Sequence, residues 1–310
     1  YIRRLVDSAP GPDGIPHSAW KYCGLEGART LMQAARHLAE GRLLGMSFNE
    51  LRIICVPKPS KTVEETVVTR DSEQLRTLSM KNSDNKTISG ATNWCIKEEM
   101  HKKIAAMQRG FICKRRLTSN IIDLEAYGSL IGIADNAELV PVLSFWDFAN
   151  AFGSLRWSWL FYVIKCWIAS EPIRNLILSM YHYPTAVDNE TVVMAIFRGV
   201  LEGCPLSGSL FAMALHAMHQ WLESSIEASA RGIVRACADD HGAALKSMAD
   251  LPLLARFCTF CEVLAGLKLR ISKCVIVPVA EQLNDVLQDG IREFLNHTLP
   301  DWRDIPIRDC

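Results

Sequence analysis

Two adjacent carboxylates, Asp239 and Asp240, lie between two apolar runs of the sequence, 233–236 and 243–245. Apolar runs on both sides of a short polar segment predict a β-hairpin, and we expect Gly242 to supply the positive φ angle that a hairpin turn needs. Neighbouring carboxylates repel each other, so a fold that keeps both ionised usually supplies a cation. A hard cation held by a few carboxylates and completed by substrate phosphates is the Mg²⁺ pattern. Taken alone, the pair also suits a solvated turn.

A third carboxylate, Asp147, follows the apolar run 139–146, which is long enough for one buried strand. A carboxylate at the end of a strand and two in a hairpin turn can meet on neighbouring strands and share two metal ions about 4 Å apart. Such a site suits in-line phosphoryl transfer, for which positioning and charge neutralisation matter more than a nucleophilic side chain. We therefore expect the three aspartates to come together.

Composition sets broad limits on the class of protein. The chain has 310 residues, enough for one large or two ordinary domains, with 49% hydrophobic and 22% charged residues. Lys plus Arg and Asp plus Glu number 34 each, so any site for a polyanion has to be local. No apolar run reaches the eighteen or so residues of a membrane span, so no membrane association is expected. The chain begins at Tyr1 rather than Met, and we expect it to be a segment of a longer protein.

Neither the cysteines nor the histidines His216 and His219 form an evident metal-binding motif. The eleven cysteines are scattered singly, apart from Cys258 and Cys261, which predicts free thiols in a reducing compartment. That pair lies in an apolar helical pattern with no second Cys or His pair after it, so zinc is not expected there. His216 and His219 fall in the apolar run 210–222, and we interpret them as packed or surface residues.

The remaining elements are predicted from residue spacing and turn signals. Helices are predicted at 25–44, 92–116, 155–183, 209–224 and 251–265. Strands are predicted at 51–57, 76–80, 191–198 and 274–279. The turn-rich segment 199–208 precedes a helix, where glycines let backbone N–H groups approach a polyphosphate or a base pair.

Two clusters of basic residues are candidate anion sites. Lys58 and Arg76 belong to a predicted β-hairpin, where Arg can grip phosphate with two hydrogen bonds and Lys acts as a point charge. The most basic stretch, 102–116, combines cations with the ring of Phe111, which is typical of a track for single-stranded nucleic acid. A solvated basic edge or helix face explains each cluster without a ligand.

Six short motifs occur in order along the chain. They are Ala-Pro-Gly-Pro-Asp-Gly-Ile (9–15), Gln-x-Gly-Phe (108–111), Asp-Phe-x-x-Ala-Phe (147–152), Gly-Val-x-x-Gly-Cys-Pro-Leu-Ser (199–207), Ala-Asp-Asp (238–240) and Gly-Leu-x-Leu-x-x-x-Lys (266–273). The series resembles the reverse transcriptases of non-LTR (LINE-type) retrotransposons and, more distantly, those of group II introns. The resemblance covers residues from about 5 to 280, and it is carried by the order of the motifs, since each is weak alone.

The resemblance implies an α+β right-hand polymerase fold. Its fingers would be residues 1–135, its palm of antiparallel strands backed by helices would be 136–280, and 281–310 would begin a connection to a thumb that is largely missing. The implied activity is RNA-directed DNA synthesis, in which dNTPs are added to a primer 3′-OH. The implied partners are an RNA template, a DNA primer and dNTPs, with two Mg²⁺ ions that Mn²⁺ can replace.

The resemblance also implies roles for single residues. Asp147 and Asp239 match the carboxylates that hold both metal ions, with Asp240 beside them. Lys273 matches a lysine that protonates the departing pyrophosphate, and Phe152 matches a bulky side chain that excludes a ribose 2′-hydroxyl. Further matches to dNTP-binding positions are Lys58, Arg76, Phe148, Ala151, Glu202, Gly203 and Pro205. Matches to positions near template and primer are Gln108, Gly110, Phe111, Arg115, Arg116 and Cys237.

Three residues depart from those usual in the family. Cys237 stands where Tyr is usual, Glu202 where Gln is usual, and Gly153 where Asp is frequent. A carboxylate at position 202 would repel an incoming triphosphate unless it is neutralised or turned away. Two other interpretations stay open: a catalytically silent remnant that binds nucleic acid, and an RNA-dependent RNA polymerase, against which Phe152 argues.

Overall fold

The computed structural model describes residues 1–58, 71, 74–133, 140–188 and 191–309. The chain divides into two compact units, each built from two stretches of sequence. The first unit consists of Tyr1–Ile96 and Phe161–Ser207, and the second consists of Lys97–Leu160 and Gly208–Cys310. Both units contain a sheet and helices, so the α+β class predicted from the sequence is confirmed.

Helices and strands alternate irregularly along the described chain. The α-helices are α1 (His17–Tyr22), α2 (Gly24–Ala39), α3 (Ser83–Lys103), α4 (Thr118–Ile133), α5 (Ala151–Ser154), α6 (Trp157–Trp167), α7 (Glu171–Ser179), α8 (Ser207–Ile226), α9 (Leu251–Phe260) and α10 (Asp285–Thr298). The strands are β1 (Glu50–Pro57), β2 (Leu75–Lys81), β3 (Val142–Trp146), β4 (Thr185–Asp188), β5 (Thr191–Ala195), β6 (Gly232–Cys237), β7 (Asp240–Leu245) and β8 (Val275–Pro278). None of these helices is both long enough and apolar enough to cross a membrane.

The first unit contains a four-stranded sheet in the order β2-β1-β4-β5. β1 pairs antiparallel with β2 and parallel with β4, and β5 pairs antiparallel with β4. The strands predicted at 51–57 and 76–80 are confirmed as β1 and β2. The strand predicted at 191–198 is confirmed as β5, although it ends at Ala195.

The second unit contains a four-stranded antiparallel sheet in the order β6-β7-β3-β8. The hairpin predicted around Asp239 and Asp240 is confirmed as β6 and β7, and the strand predicted at 274–279 is confirmed as β8. The strand predicted at 139–146 begins at Val142, and its first residue, Leu139, lies outside the described residues.

Helices α4 and α8 pack against opposite faces of the antiparallel sheet, because successive strand residues point to opposite faces. In β7, His241 contacts His219 of α8, while Gly242 faces Leu124 of α4. A Cβ atom at Gly242 would lie 2.7 Å from Leu124 Cδ1, so any side chain there would have to displace the Leu124 side chain of α4. The prediction that Gly242 takes a positive φ is wrong. Ala238 takes it instead, at 58°, within the turn.

The helix predicted at 92–116 is wrong in its second half. α3 ends at Lys103, and the chain then passes through left-handed φ angles at Phe111 and Lys114. The Arg115 guanidinium donates hydrogen bonds to the carbonyls of His101, Ile104, Ala105 and Gln108. A side chain from later in the sequence therefore satisfies carbonyls in the last turn of the helix and just after it, a contact that helical periodicity does not reveal.

The helix predicted at 155–183 consists of two helices. α6 ends at Trp167, and α7 begins at Glu171 with Pro172 in its first turn. Proline has no backbone N–H and breaks a helix interior, but it fits a first turn well. The other three predicted helices are confirmed as α2, α8 and α9, and α9 continues after Phe260 into a π-helical turn, Cys261–Ala265.

Burial of His216 makes the stability of the fold depend on pH. Its Nδ1 accepts a hydrogen bond from the backbone N–H of Ala105 at 3.1 Å, and burial lowers its pKa to about 4. Because the unfolded state has the higher pKa, of about 6.5, it takes up a proton first as the pH falls, and the folded state loses stability. We expect this histidine to reduce the free energy of unfolding by about 2 kcal/mol between pH 7 and pH 5.

Urea unfolding of the wild type and of His216→Asn at both pH values measures this contribution. Asparagine keeps an acceptor oxygen near the position of Nδ1 and does not titrate. The variant should therefore lose about 2 kcal/mol less stability than the wild type on acidification. An equal loss in the two proteins would contradict the assignment.

Candidate active site

Asp147 and Asp240 lie opposite each other on neighbouring strands. Trp146, the last residue of β3, pairs with His241 of β7, so the next step along both strands brings Asp147 beside Asp240. Asp240 is exposed as a residue, but partial desolvation of its carboxyl raises its pKa; the negative charge of Asp147 raises this pKa further, whereas Lys273 lowers it. Strand pairing thus joins two acidic groups that are far apart in the sequence.

A lysine already compensates part of this negative charge. Nζ of Lys273 lies 3.0 Å from Oδ2 of Asp147. The lysine side chain is 52% exposed, whereas that of Asp147 is 20% exposed. A cavity of about 460 Å³ lies beside the ion pair. Its lining residues are Asp147, Asp240, Ser272, Lys273, Cys274, Val275, Pro306 and Arg308.

Arg308 lines the cavity and is not predicted as a site residue from the sequence. The segment around Ile307 runs parallel to β8, with the N–H of Ile276 donating to Pro306 and the N–H of Arg308 donating to Ile276, both at 3.0 Å. This extra strand pairing brings Arg308 to the cavity. The alternation of Ile305 and Ile307 was the available sequence signal, and it is too short to predict a strand.

The donors at this site fit a divalent ion that takes further ligands from a substrate. Within the described parts of the chain, no group of three or more His, Cys, Asp or Glu side chains is arranged to hold a metal ion. Asp147 and Asp240 supply hard carboxylate oxygens, and Asp147 already attracts a cation. Because Mg²⁺ in phosphoryl-transfer sites is held by one or two carboxylates together with substrate phosphates and water, this pair suits it. The ligand role of Asp239 stays a prediction.

The turn between β6 and β7 is supported by a buried amide. Ala238 has a left-handed φ of 58°, which is unfavourable for a residue with a Cβ. The side chain of Gln108 donates to the carbonyl of Ala238 at 3.1 Å and accepts from its N–H at 2.8 Å. It also accepts from the N–H of Gly110 at 2.8 Å. Gln108 is fully buried, so we assign it to supporting the turn rather than to direct contact with nucleic acid.

Gly110 allows this support to come close. A Cβ atom at this position would lie 2.3 Å from the backbone nitrogen of Ala238, a distance that backbone atoms cannot tolerate. The turn that carries Asp239 therefore depends on Gly110. The resemblance predicts a contact with nucleic acid for this residue.

A model of one known protein family matches most of the chain. The family described as "Reverse transcriptase (RNA-dependent DNA polymerase)" matches residues 56–295, which is well over half of the chain. The chain belongs to the reverse transcriptase family. The prediction of a reverse transcriptase domain is thereby confirmed at the level of the family.

Solved telomerase structures share the fold. The apo telomerase of Candida tropicalis, truncated from the C-terminal domain, is 12% identical, with 84% of this chain and 55% of that chain covered at a TM-score of 0.51. The telomerase of Candida albicans, in complex with the TWJ fragment of telomeric RNA, is 10% identical, with 87% and 48% covered at a TM-score of 0.55. This chain thus spans about half the length of these structures, and such low identities show the fold alone.

Phe152, which the resemblance predicts to exclude a ribose 2′-hydroxyl, contacts two other rings. Its ring stacks on that of Phe211, with centroids 4.5 Å apart and planes 8° apart. The ring of Phe111 meets it edge-on at 5.8 Å. Gly208 leaves room for Phe111, because a Cβ atom there would lie 2.4 Å from the Phe111 ring. Phe111 itself is 63% exposed.

Two neighbours of Phe152 that were predicted to bind dNTP are buried. The ring of Phe148 packs against His241 and Phe257 and is 2% exposed. Ala151 is likewise 2% exposed. Their side chains therefore belong to the packing beneath the site, and any contribution to dNTP binding would pass through the residues they support.

The residues predicted to lie near template and primer differ in accessibility. Arg116 is exposed, whereas Arg115 is half-buried and its guanidinium is taken up by four backbone carbonyls. We assign Arg115 to holding this loop instead of to contact with nucleic acid. Cys237 is half-buried, and burial raises the pKa of its thiol, as do Asp240 and Asp239.

The remaining predicted dNTP-binding residues lie in the first unit. Burial raises the pKa of the Glu202 carboxyl, and the positive charges of Arg76 and Lys58 lower it, so these groups share one neighbourhood. The backbone carbonyl of Glu202 accepts from the N–H of Ser79 at 2.7 Å. Gly203 has a φ of 106°, and a Cβ there would lie 2.5 Å from the Ser79 carbonyl oxygen. The carbonyl of the exposed Pro205 accepts from the Asn93 side chain at 3.1 Å.

Proposed function

We propose that the chain is the polymerase domain of a non-LTR (LINE-type) retroelement reverse transcriptase. It adds dNTPs to the 3′-OH of a DNA primer by copying an RNA template. The observation that carries the proposal is the placement of Asp147 and Asp240 at one cavity together with Lys273, in a chain of the reverse transcriptase family. The order of the six sequence motifs supports the retroelement class.

Asp147 and Asp239 would hold the Mg²⁺ ions, with Asp240 as the third carboxylate of the metal site, and Mn²⁺ could replace Mg²⁺. When bound, two such ions activate the attacking hydroxyl and stabilise the charge of the leaving group. Asp147 is well placed for this role, since it is four-fifths buried and its charge is compensated by an ammonium rather than by a fixed guanidinium. An ammonium on a flexible stem can move when phosphates arrive.

The other residues bind, orient and select the substrate in this proposal. Lys273 supplies a proton at the departing pyrophosphate, and it lies in the cavity where its ammonium already contacts Asp147. Lys58 and Arg76 bind the triphosphate, while Phe152 excludes a ribose 2′-hydroxyl. Base pairing with the template selects the nucleotide, so no base-reading side chains are required.

We assign the palm to the antiparallel sheet of the second unit and the fingers to the first unit. The ranges 1–135, 136–280 and 281–310 stay predictions from the resemblance. They differ from the two compact units in that residues 97–135 belong to the second unit and 161–207 to the first. The difference arises because each unit is made of two separate stretches of chain.

Replacing Glu202 with glutamine should improve dNTP binding. The carboxylate competes with a triphosphate for Arg76 and Lys58, so removing its charge leaves both cations for the substrate. We expect the KM for dNTP to fall about fivefold, the equivalent of about 1 kcal/mol, which is the upper end for a partly exposed charge interaction. Steady-state kinetics on a primed RNA template measure it. Glu202→Asp, which keeps the charge, is the matched control, and a higher KM in Glu202→Gln would contradict the prediction.

Primer extension on a primed RNA template tests the proposed function. With Mg²⁺ we expect incorporation of dNTPs in preference to rNTPs. A preference for rNTPs would favour an RNA-dependent RNA polymerase. Tight template binding without incorporation, in both the wild type and Glu202→Gln, would favour a catalytically silent remnant.

A further inference from the structure

Two buried histidines form a hydrogen-bonded pair behind the acidic turn. Nε2 of His219, on α8, lies 2.9 Å from Nε2 of His241, on β7. Nδ1 of His241 lies 2.9 Å from the backbone carbonyl oxygen of Asp239. His219 is completely buried and His241 is 4% exposed. A continuous chain of hydrogen bonds thus runs from α8 to the turn that carries the acidic residues.

The geometry determines where the protons lie. A carbonyl oxygen only accepts hydrogen bonds, so Nδ1 of His241 carries a proton and donates it to Asp239. With Nδ1 protonated, Nε2 of the neutral His241 is an acceptor, and the facing Nε2 of His219 must be the donor. Nδ1 of His219 is then a bare nitrogen, and within the described residues this atom has no hydrogen-bond partner. With the proton of His219 on Nδ1 instead, two bare Nε2 atoms would face each other at 2.9 Å and their hydrogen bond would be lost.

Aromatic rings enclose the pair and restrict its motion. The ring of His241 stacks on Trp146 at 5.6 Å and meets the edge of Phe148 at 5.5 Å. The ring of His219 stacks on Phe257 at 5.7 Å. Two apolar side chains would fill this space without the cost of burying polar nitrogens. Two apolar side chains could not donate a hydrogen bond to the carbonyl of Asp239, whereas His241 can.

We propose that His219 and His241 are positioning residues that hold the Asp239–Asp240 turn ready for metal binding, an inference that rests on the proposed function. His219 fixes the tautomer of His241, and His241 fixes the carbonyl of Asp239. Gln108 holds the preceding residue, Ala238, in its left-handed conformation. The backbone of Ala238 is therefore held by Gln108, and the backbone of Asp239 is held by His241. Holding the backbone places the carboxylate of Asp239, so neither imidazole has to contact that carboxylate.

The tautomers can be measured directly and independently of activity. In ¹⁵N-histidine-labelled protein at pH 7, long-range ¹H–¹⁵N correlation spectra should show both imidazoles neutral. The proton should be on Nδ1 in His241 and on Nε2 in His219, with assignments from His219→Gln and His241→Asn. A proton on Nε2 of His241 would overturn the proposal whatever the activity of the protein.

Four variants test whether the chain of bonds acts on the metal site. The probe is Mn²⁺, titrated by electron paramagnetic resonance into the protein with a dideoxy-terminated primer, an RNA template and the next dNTP. His241→Leu removes the donor to Asp239, and His219→Met removes the donor to His241. Each should weaken Mn²⁺ binding about tenfold, in the range for groups that orient metal ligands. His241→Asn and His219→Gln keep an N–H near the original position and should remain within about threefold of the wild type.

The double variant His219→Met/His241→Asn separates positioning from packing. Asparagine at 241 donates to Asp239 without help from His219, so the added methionine should weaken Mn²⁺ binding no further. His216→Asn is the matched control, because this histidine also lies on α8 and accepts a hydrogen bond from the N–H of Ala105. Equal Mn²⁺ affinity in His241→Leu and the wild type would refute the inference. If Asp147→Asn also binds Mn²⁺ as tightly as the wild type, the proposed function fails. If Asp147→Asn binds Mn²⁺ more weakly while His241→Leu does not, only the inference about the histidines fails.

Discussion

Incorporation of dNTP should fall about a thousandfold or more when Asp147 is replaced by asparagine, because a lost metal ligand removes several kcal/mol of transition-state stabilisation. The substitution keeps the size of the side chain and removes the charge that pairs with Lys273 at 3.0 Å. Single-nucleotide incorporation on a primed RNA template, under single-turnover conditions with Mg²⁺, measures the effect. Folding should be retained, since the backbone carbonyl of Asp147, rather than its side chain, bonds to the N–H of Arg270.

Matched variants separate the loss of the metal ligand from a general loss of charge. Asp301→Asn removes an exposed carboxylate from the second unit and should leave incorporation unchanged. Asp239→Asn should be as damaging as Asp147→Asn. Full activity in either of these two variants, with the control unaffected, would contradict the assignment of the metal ligands.

Replacing Phe152 with valine should reduce discrimination between dNTPs and rNTPs about a hundredfold, a change typical of relieving a steric clash in a specificity pocket. The ring is held by Phe211 at 4.5 Å and by Phe111 at 5.8 Å, so it cannot easily turn away from a 2′-hydroxyl. Valine leaves space at that position. The ratio of kcat/KM for dGTP and GTP opposite the same template base measures it.

The ratio of the two kcat/KM values does not depend on the fraction of folded protein. A loss of stability in the variant therefore does not change the result. Phe260→Val is the matched control, because this ring packs on the ring of Trp221, with centroids 5.0 Å apart. It should leave the ratio unchanged. Unaltered discrimination in Phe152→Val would show that another group excludes the 2′-hydroxyl.

The carboxylate pair could be predicted from the sequence because strand periodicity carries it. Apolar runs on each side of Asp239 and before Asp147 predict strands, and neighbouring strands bring their ends together. The structure places Asp147 beside Asp240 in this way. The apolar runs predict the same strands that pair in the sheet, so these strands could be predicted from the sequence alone.

Contacts between distant residues explain what the sequence did not reveal. Arg115 ends the helical pattern by bonding to carbonyls that precede it, and His219 reaches His241 from another element. The strained turn residue is Ala238 and not Gly242, because Gln108 supports the first and α4 crowds the second. In each case a side chain from elsewhere in the fold determines the local conformation, and residue spacing does not predict such a contact.

Crystals of the protein with Mn²⁺, a dideoxy-terminated primer on an RNA template and the next dNTP would test the central claim most directly, by anomalous diffraction. We predict two anomalous peaks about 4 Å apart, both within coordinating distance of the carboxylates of Asp147 and Asp239. A complex with dNTP in place and no peak at either carboxylate would contradict it.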